Sequence, residues 1–155
     1  MLIKTRCFGE INLEEEKIIT FEKGLFGFEE FKRFTILYDI DEEKVSISWL
    51  QSVDEEALAL PVVNPALVKE DYNPVIEDEL LNQLGELTEE NIVVLLTVTV
   101  PSEIKNTTVN LKAPIIINSD TRKGCQVVAE NPDYVVKYNV YEALKARKEK
   151  EGASC

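Results

Sequence analysis

Histidine is absent from these 155 residues, and there are only one tryptophan, one methionine, six glycines and three cysteines. Without imidazole the chain cannot assemble a Ser-His-Asp or Cys-His nucleophilic site, and it offers zinc no histidine ligand. Basic residues are also in deficit: 17 Lys and Arg stand against 29 Asp and Glu, for a formal net charge of −12. So acidic a chain repels phosphate, which argues against direct nucleic-acid binding. Long apolar runs are missing too. Asn91 to Ser102, as long an uncharged stretch as any in the chain, is shorter than the ~20 residues that a membrane-spanning helix needs. Met1-Leu2-Ile3-Lys4-Thr5-Arg6 places charges where a signal peptide requires apolar residues, so a cytoplasmic location is expected. Cys7, Cys125 and Cys155 are odd in number and widely spaced, with no C-x-x-C pair. That pattern speaks against a disulfide framework and against a zinc knuckle. Asn106-Thr107-Thr108 fits a glycosylation sequon, but without a secretory signal it reads as chance.

What is present is a globular composition, 45% hydrophobic and 30% charged, in a chain expected to fold as one domain. Short β-rich segments recur. Leu2 to Phe8 alternates with the period of a half-buried strand, and Lys17 to Phe21 follows, closed by the paired glycines of Gly24-Leu25-Phe26-Gly27. Phe28, Phe31 and Phe34 at a spacing of three suggest one helical turn pinning aromatics onto the core. Thr35 to Tyr38 and Val45 to Gln51 read as strands around an Asp41-Glu42-Glu43 turn, and Leu58 to Val63 as another, ended by Asn64-Pro65. Ile92 to Val100 is the strongest strand, and its β-branched richness predicts burial on both faces. Thr107 to Leu111, Pro114 to Asn118 and Gly124 to Ala129 complete the set, the last two as a hairpin across Ser119-Asp120-Thr121. Two helices are expected, Glu77 to Leu84 stopped by Gly85 and a charged one from Val140 to about Glu151. The composition of elements implies a mostly β fold: a small antiparallel barrel-like domain over residues 1–138, with one or two peripheral helices. Residues 139–155 form a charged, helix-prone tail.

The charge is unevenly placed. Residues 39–90 hold 15 acids and only two bases, Lys44 and Lys69, so that segment carries −13 while the rest of the chain sums to +1. Gathered in space, those turns would attract a basic partner; left apart, they would only keep a β protein soluble. Asp39-x-Asp41-x-Glu43 begins like a calcium loop, but Lys44 stands where glycine must turn the chain and Leu50 replaces the final glutamate. No phosphate-cradling glycine motif and no G-x-S-x-G elbow occurs. A pair of carboxylates for hydrolysis on a β scaffold stays open as the alternative, and a nucleic-acid-binding barrel as a third. Trp49, within VSISWLQS, is expected in the core.

Five motifs occur in a fixed order: Gly24-Leu25-Phe26-Gly27-Phe28-Glu29, Trp49-Leu50-Gln51-Ser52, Thr108-Val109-Asn110-Leu111-Lys112-Ala113-Pro114-Ile115, Ile117-Asn118, and Gly124-Cys125-Gln126-Val127. Together they resemble the flagellar assembly factor FliW family over roughly residues 2–138. The resemblance implies a β-barrel-like cytoplasmic protein without catalysis, cofactor or metal, which binds no nucleic acid and no membrane directly. It implies two partners. One is CsrA, the small basic dimer that represses translation of flagellin mRNA; the other is cytoplasmic flagellin, which recaptures the factor and restores repression. The chain departs from the family where Phe26 replaces a turn proline and where Leu58 to Pro65 is aliphatic in place of an aromatic.

Asp54, Glu55, Glu56, Glu70 and Asp71 are the expected electrostatic contacts for CsrA, with Tyr72 and Val75 as exposed apolar anchors. Gly24, Gly27 and Gly124 are expected to be turn or bulge glycines. Asn110, Asn118 and Gln126 are either amides that bridge backbone or partner contacts. Leu50, Val62, Val94, Leu96 and Ile116 are assigned to the core. For flagellin, an apolar groove on the barrel is expected.

Overall fold

The computed structural model describes residues 1–38 and 47–145. The Asp41-Glu42-Glu43 turn, the calcium-like stretch and the far end of the tail therefore lie outside the described residues. Strands β1 (Leu2–Thr5) and β2 (Gly9–Asn12) form a separate hairpin, Gly9 taking φ 66° at the turn. β2 is exposed and polar, and its sequence carries no strand signal of its own.

Seven strands close into a barrel: β3 (Ile19–Thr20), β4 (Arg33–Tyr38), β5 (Ile47–Ser52), β6 (Ala59–Val63), β7 (Ile92–Thr99), β9 (Ile115–Asn118) and β10 (Lys123–Gln126). The circuit runs β7-β6-β5-β4-β3-β10-β9 and returns to β7. Every pair is antiparallel except β3 with β10, which is parallel through Thr20 and Lys123. β8 (Thr108–Val109) and β11 (Tyr138–Asn139) extend the sheet from the far half of β7.

β7 explains its own composition. Its first half pairs with β9 and its second half with β8, while β6 joins at Leu96 and Thr97. Side chains alternate between the barrel interior, where Leu95, Ile115, Ile117, Phe34 and Leu50 meet, and two outer clusters. One outer cluster packs Ile116 and Val94 beneath Leu84 and Leu81; the other packs Leu96 and Val98 beneath Tyr134 and Val140. With layers on both faces, an apolar run replaces strict alternation. Each fully buried leucine contributes about 2 kcal/mol of transfer free energy. Trp49 is only half-buried, on the face opposite Leu50.

The predicted helical turn at Phe28, Phe31 and Phe34 is instead a pair of tight turns followed by a strand. Gly24 at φ 67° and Gly27 at φ 86° interrupt any helix, and Phe28 and Phe31 donate backbone N–H groups three residues back. The rings still reach the barrel interior, where Phe21 meets Phe34 edge-on at 5.5 Å. α1 (Asp78–Leu81) continues as a 3-10 turn to Leu84, and Gly85 at φ 83° stops it. Residues 141–145 are helical, and Val140 and Leu144 pack onto the outer cluster with β11 in the sheet.

Candidate partner-binding surface

The acids singled out in the sequence fall into two groups at opposite ends of β6. Asp54, Glu55 and Glu56 occupy the β5–β6 turn and are exposed. Glu70 and Asp71 follow a 3-10 turn at Pro65–Leu67 beyond the other end, capped by Asn64 Oδ1 accepting from Ala66 N–H at 3.0 Å. The length of β6 between them is roughly 16 Å at about 3.3 Å per residue. One continuous acidic face over all five positions is therefore not formed.

The first group is presented by a buried amide. Gln51 is only 1% exposed, and its Nε2 lies 3.0–3.3 Å from the carbonyl oxygens of Ser52, Glu55, Glu56 and Leu58. Its Oε1 accepts from Arg6 N–H at 2.9 Å, tying the turn to the β1–β2 hairpin. Ser52 Oγ accepts from the N–H groups of Asp54 and Glu55. Asp54 is ion-paired with Arg33, whose guanidinium hydrogen bond holds its carboxyl below the usual range. Glu55 and Glu56 have no cation within 4.0 Å among the described residues.

The second group belongs to a strap, residues 69–75. Lys69 Nζ pairs with Asp71 at 3.0 Å, keeping that carboxyl low, and lies 5.9 Å from the ring centres of Tyr134 and Tyr138. Tyr72, expected to be an exposed anchor, is half-buried. Its ring stacks on Tyr134 at 4.9 Å, and its hydroxyl donates to Leu111 C=O at 2.8 Å. Burial pushes the Tyr72 phenol well above its ordinary pKa. Val75 is 52% exposed, its backbone held by Asn131 and Glu130. Beside the strap opens a cleft of about 530 Å³ whose walls include Ile36, Pro65, Glu70, Tyr72, Ile92 and Val94.

The remaining polar motif residues hold backbone. Asn110 Oδ1 accepts from the N–H groups of Lys112 and Ala113, both at 3.0 Å, shaping the bend before Pro114. Gln126 joins two motifs, accepting from Phe26 N–H at 2.9 Å and donating to Ala113 C=O at 3.0 Å. Asn118, fully buried, donates to Leu84 and Glu86 carbonyls and accepts from the N–H groups of Asp120 and Thr121. A Cβ at Gly24 would stand 2.6 Å from Glu29 Cα, and one at Gly124 would stand 2.6 Å from the Phe21 ring; Gly27 faces open space. Two such amides escaped sequence reasoning, Gln51 and Asn91. Each is a polar residue at a strand end beside an acidic turn, and that placement was the available signal. Among the described residues no cluster of three acids and cysteines could hold a metal ion. Asp54 and Asp71 are shifted in the direction opposite to that required of a protonated catalytic acid.

The family model described as FliW protein matches residues 2–140. The flagellar assembly factor FliW of Lachnoclostridium phytofermentans is 60% identical over 156 residues, covering 100% of both chains. That of Lachnospira eligens is 52% identical over 94% of this chain and 97% of its own. A crystal structure of the flagellar assembly factor FliW superposes with a TM-score of 0.82 at 33% identity, covering 90% of this chain and 96% of that one. With its barrel, its motifs and its full-length relatives in agreement, the chain belongs to the FliW family of flagellar assembly factors.

Proposed function

We propose that this chain works in the cytoplasm by binding and not by catalysis: it captures CsrA, relieves its repression of flagellin mRNA, and is itself recaptured by cytoplasmic flagellin. The supporting observation is family membership across nearly the whole chain, combined with exposed carboxylates at Glu55, Glu56 and Glu70 that no cation within 4.0 Å neutralises among the described residues. A basic dimer has two copies of each basic surface, which suits acids divided between two ends of one strand. Asp54, shared with Arg33, and Asp71, shared with Lys69, contribute to the field more than to direct pairing. Val75 is the apolar contact within this set, with Tyr72 supporting the strap from beneath. The cleft between strap and β7 is assigned to flagellin, whose expected contact is an amphipathic segment.

The test is displacement. The protein is titrated into a complex of CsrA and labelled flagellin leader RNA while anisotropy is followed. RNA release that added flagellin reverses is the expected result; RNA that stays bound while CsrA and this protein fail to associate refutes the CsrA half.

A further inference from the structure

β6 leaves the sheet early. Its pairing with β7 covers only Val62 and Val63 against Thr97 and Leu96, after which the chain turns away through the 3-10 turn at Pro65–Leu67. The same register would place Pro65, which has no N–H, opposite Val94. The first half of β7, Ile92 to Leu95, is therefore paired on its β9 side alone.

The alternation of an antiparallel ladder tells which groups this leaves over. Asn91 C=O accepts from Ser119 N–H, and Thr97 C=O accepts from Asn110 N–H, so the odd-numbered residues of β7 bond toward β9 and β8. The even-numbered ones face the other way: Leu96 meets Val63, and Ile92 N–H donates back to Thr88 C=O at 3.1 Å. Val94 N–H, Val94 C=O and Ile92 C=O have no partner among the described residues. Ile92 to Leu95 line the cleft of about 530 Å³ beside the strap, and Ile92 is 39% exposed there. Ser48, also in the cleft wall, is only 8% exposed, and its hydroxyl has no hydrogen-bond partner among the described residues either. Of the two charged side chains among the described residues of the wall, Lys69 is paired with Asp71 at 3.0 Å. Glu70 has no cation within 4.0 Å among the described residues.

We propose that a partner's chain enters this cleft in extended form and adds a strand to the β7 edge where β6 stops, with a Lys or Arg directed at Glu70. The proposal rests on the reading that this cleft receives a partner segment, and it gives that segment's conformation and charge. A strand is the ligand whose own N–H and C=O groups recur at the spacing of Ile92 and Val94. A helix has already bonded its backbone internally and would leave these groups unmet. The Ser48 hydroxyl can meet either a donor or an acceptor on the incoming segment. The strap and the ends of β4 and β5 wall the edge in, which suits a single strand better than the sheet of a second copy.

The test uses the full chain, isotopically labelled for NMR. In the free chain Val94 N–H is expected to exchange with solvent faster than the N–H groups of Val93 and Leu95, which β9 holds. The probe is a short end-blocked peptide of alternating Val and Thr with one central Lys. At saturation it should slow Val94 exchange about tenfold. Versions N-methylated at alternate positions separate strand addition from other modes. One series should lose about tenfold in affinity and the other should bind like the parent, since only every second N–H of an edge strand faces its neighbour. Glu70→Lys should reverse the preference for this peptide over the same peptide with Glu in place of Lys. The proposal is overturned if Val94 N–H is already protected in the free chain, or if the peptide leaves its exchange unchanged. It is equally overturned if both methylated series bind alike, or if Glu70→Lys keeps the preference for Lys. Flagellin that displaces the peptide supports strand addition by that partner. Flagellin that binds without displacing it refutes the assignment of flagellin to the cleft and leaves strand addition, read from the peptide, in place.

Discussion

At Gly24 and Gly124 a single methyl group has no room. A Cβ at Gly24 meets the Glu29 backbone at 2.6 Å and must also adopt φ 67°, whereas at Gly27 only the backbone conformation is at issue. Gly24→Ala is therefore expected to destabilise by more than Gly27→Ala, which should cost about 1–2 kcal/mol. Urea denaturation of the two variants checks the ordering, and equal losses would remove the steric explanation. Arg33 lowers the folded-state pKa of Asp54, so the pair adds stability above the unfolded carboxyl value near ~3.9 and loses it as pH falls through the lower folded value. Both side chains are nearly half exposed, which limits the effect to about 0.5 kcal/mol and makes it salt-sensitive. The stability gap between the parent and Asp54→Asn should accordingly close in acid. Burial pushes the Cys125 thiol up to about 11, while Cys7 is exposed. In a Cys155→Ser background, a thiol reagent should therefore titrate one cysteine in the native state and the second only on unfolding.

Among the elements, turns carry the specificity. The β5–β6 turn, exposed from Asp54 to Ala57, leans on the Gln51 amide. Gln51→Ala should cost about 2 kcal/mol, because the Ser52 and Glu56 carbonyls and the Arg6 N–H lose the Gln51 amide together, while Glu55 and Leu58 keep backbone donors. Amide exchange should accelerate at Glu55 to Leu58 before it does in β6; uniform acceleration would mean that the amide serves the whole barrel. Strands with strong patterns were legible in sequence: β4 to β7 and β9 lie where alternation or β-branching placed them, while β10 ends at Gln126, short of the expected Ala129. The Phe28–Phe31–Phe34 spacing misled because two positive-φ glycines, not a helix, bring those rings to the core. β2 and β11 were illegible because pairing partners, not their own side chains, make them strands.

For the whole molecule, folding divides what the sequence concentrates. Asp54, Glu55 and Glu56 lie at one end of β6 and Glu70 and Asp71 beyond the other, so these five charges form two local fields separated by more than the ~8 Å Debye length of physiological salt. Charge reversal at Glu55 and Glu56, and separately at Glu70 and Asp71, should each weaken CsrA binding. The combined variant should match the sum of the two free-energy losses within about 0.5 kcal/mol. Strong non-additivity in titration calorimetry would instead mean that one partner surface grips both ends at once.

By itself the sequence excluded histidine chemistry, placed most of the strands and carried, in its ordered motifs, the resemblance to the FliW family of flagellar assembly factors, because composition, motif identity and local backbone preference act without knowledge of distant residues. Only the tertiary structure decided what each polar residue does. Gln51, Asn118 and Gln126 bind backbone brought from elsewhere, Asn110 closes its own bend, and Tyr72 turns inward to Leu111. Lys123, Thr20 and Arg33 become neighbours only across two strand pairings. Register between segments remote in sequence is set by closing the barrel, so no local pattern can announce it.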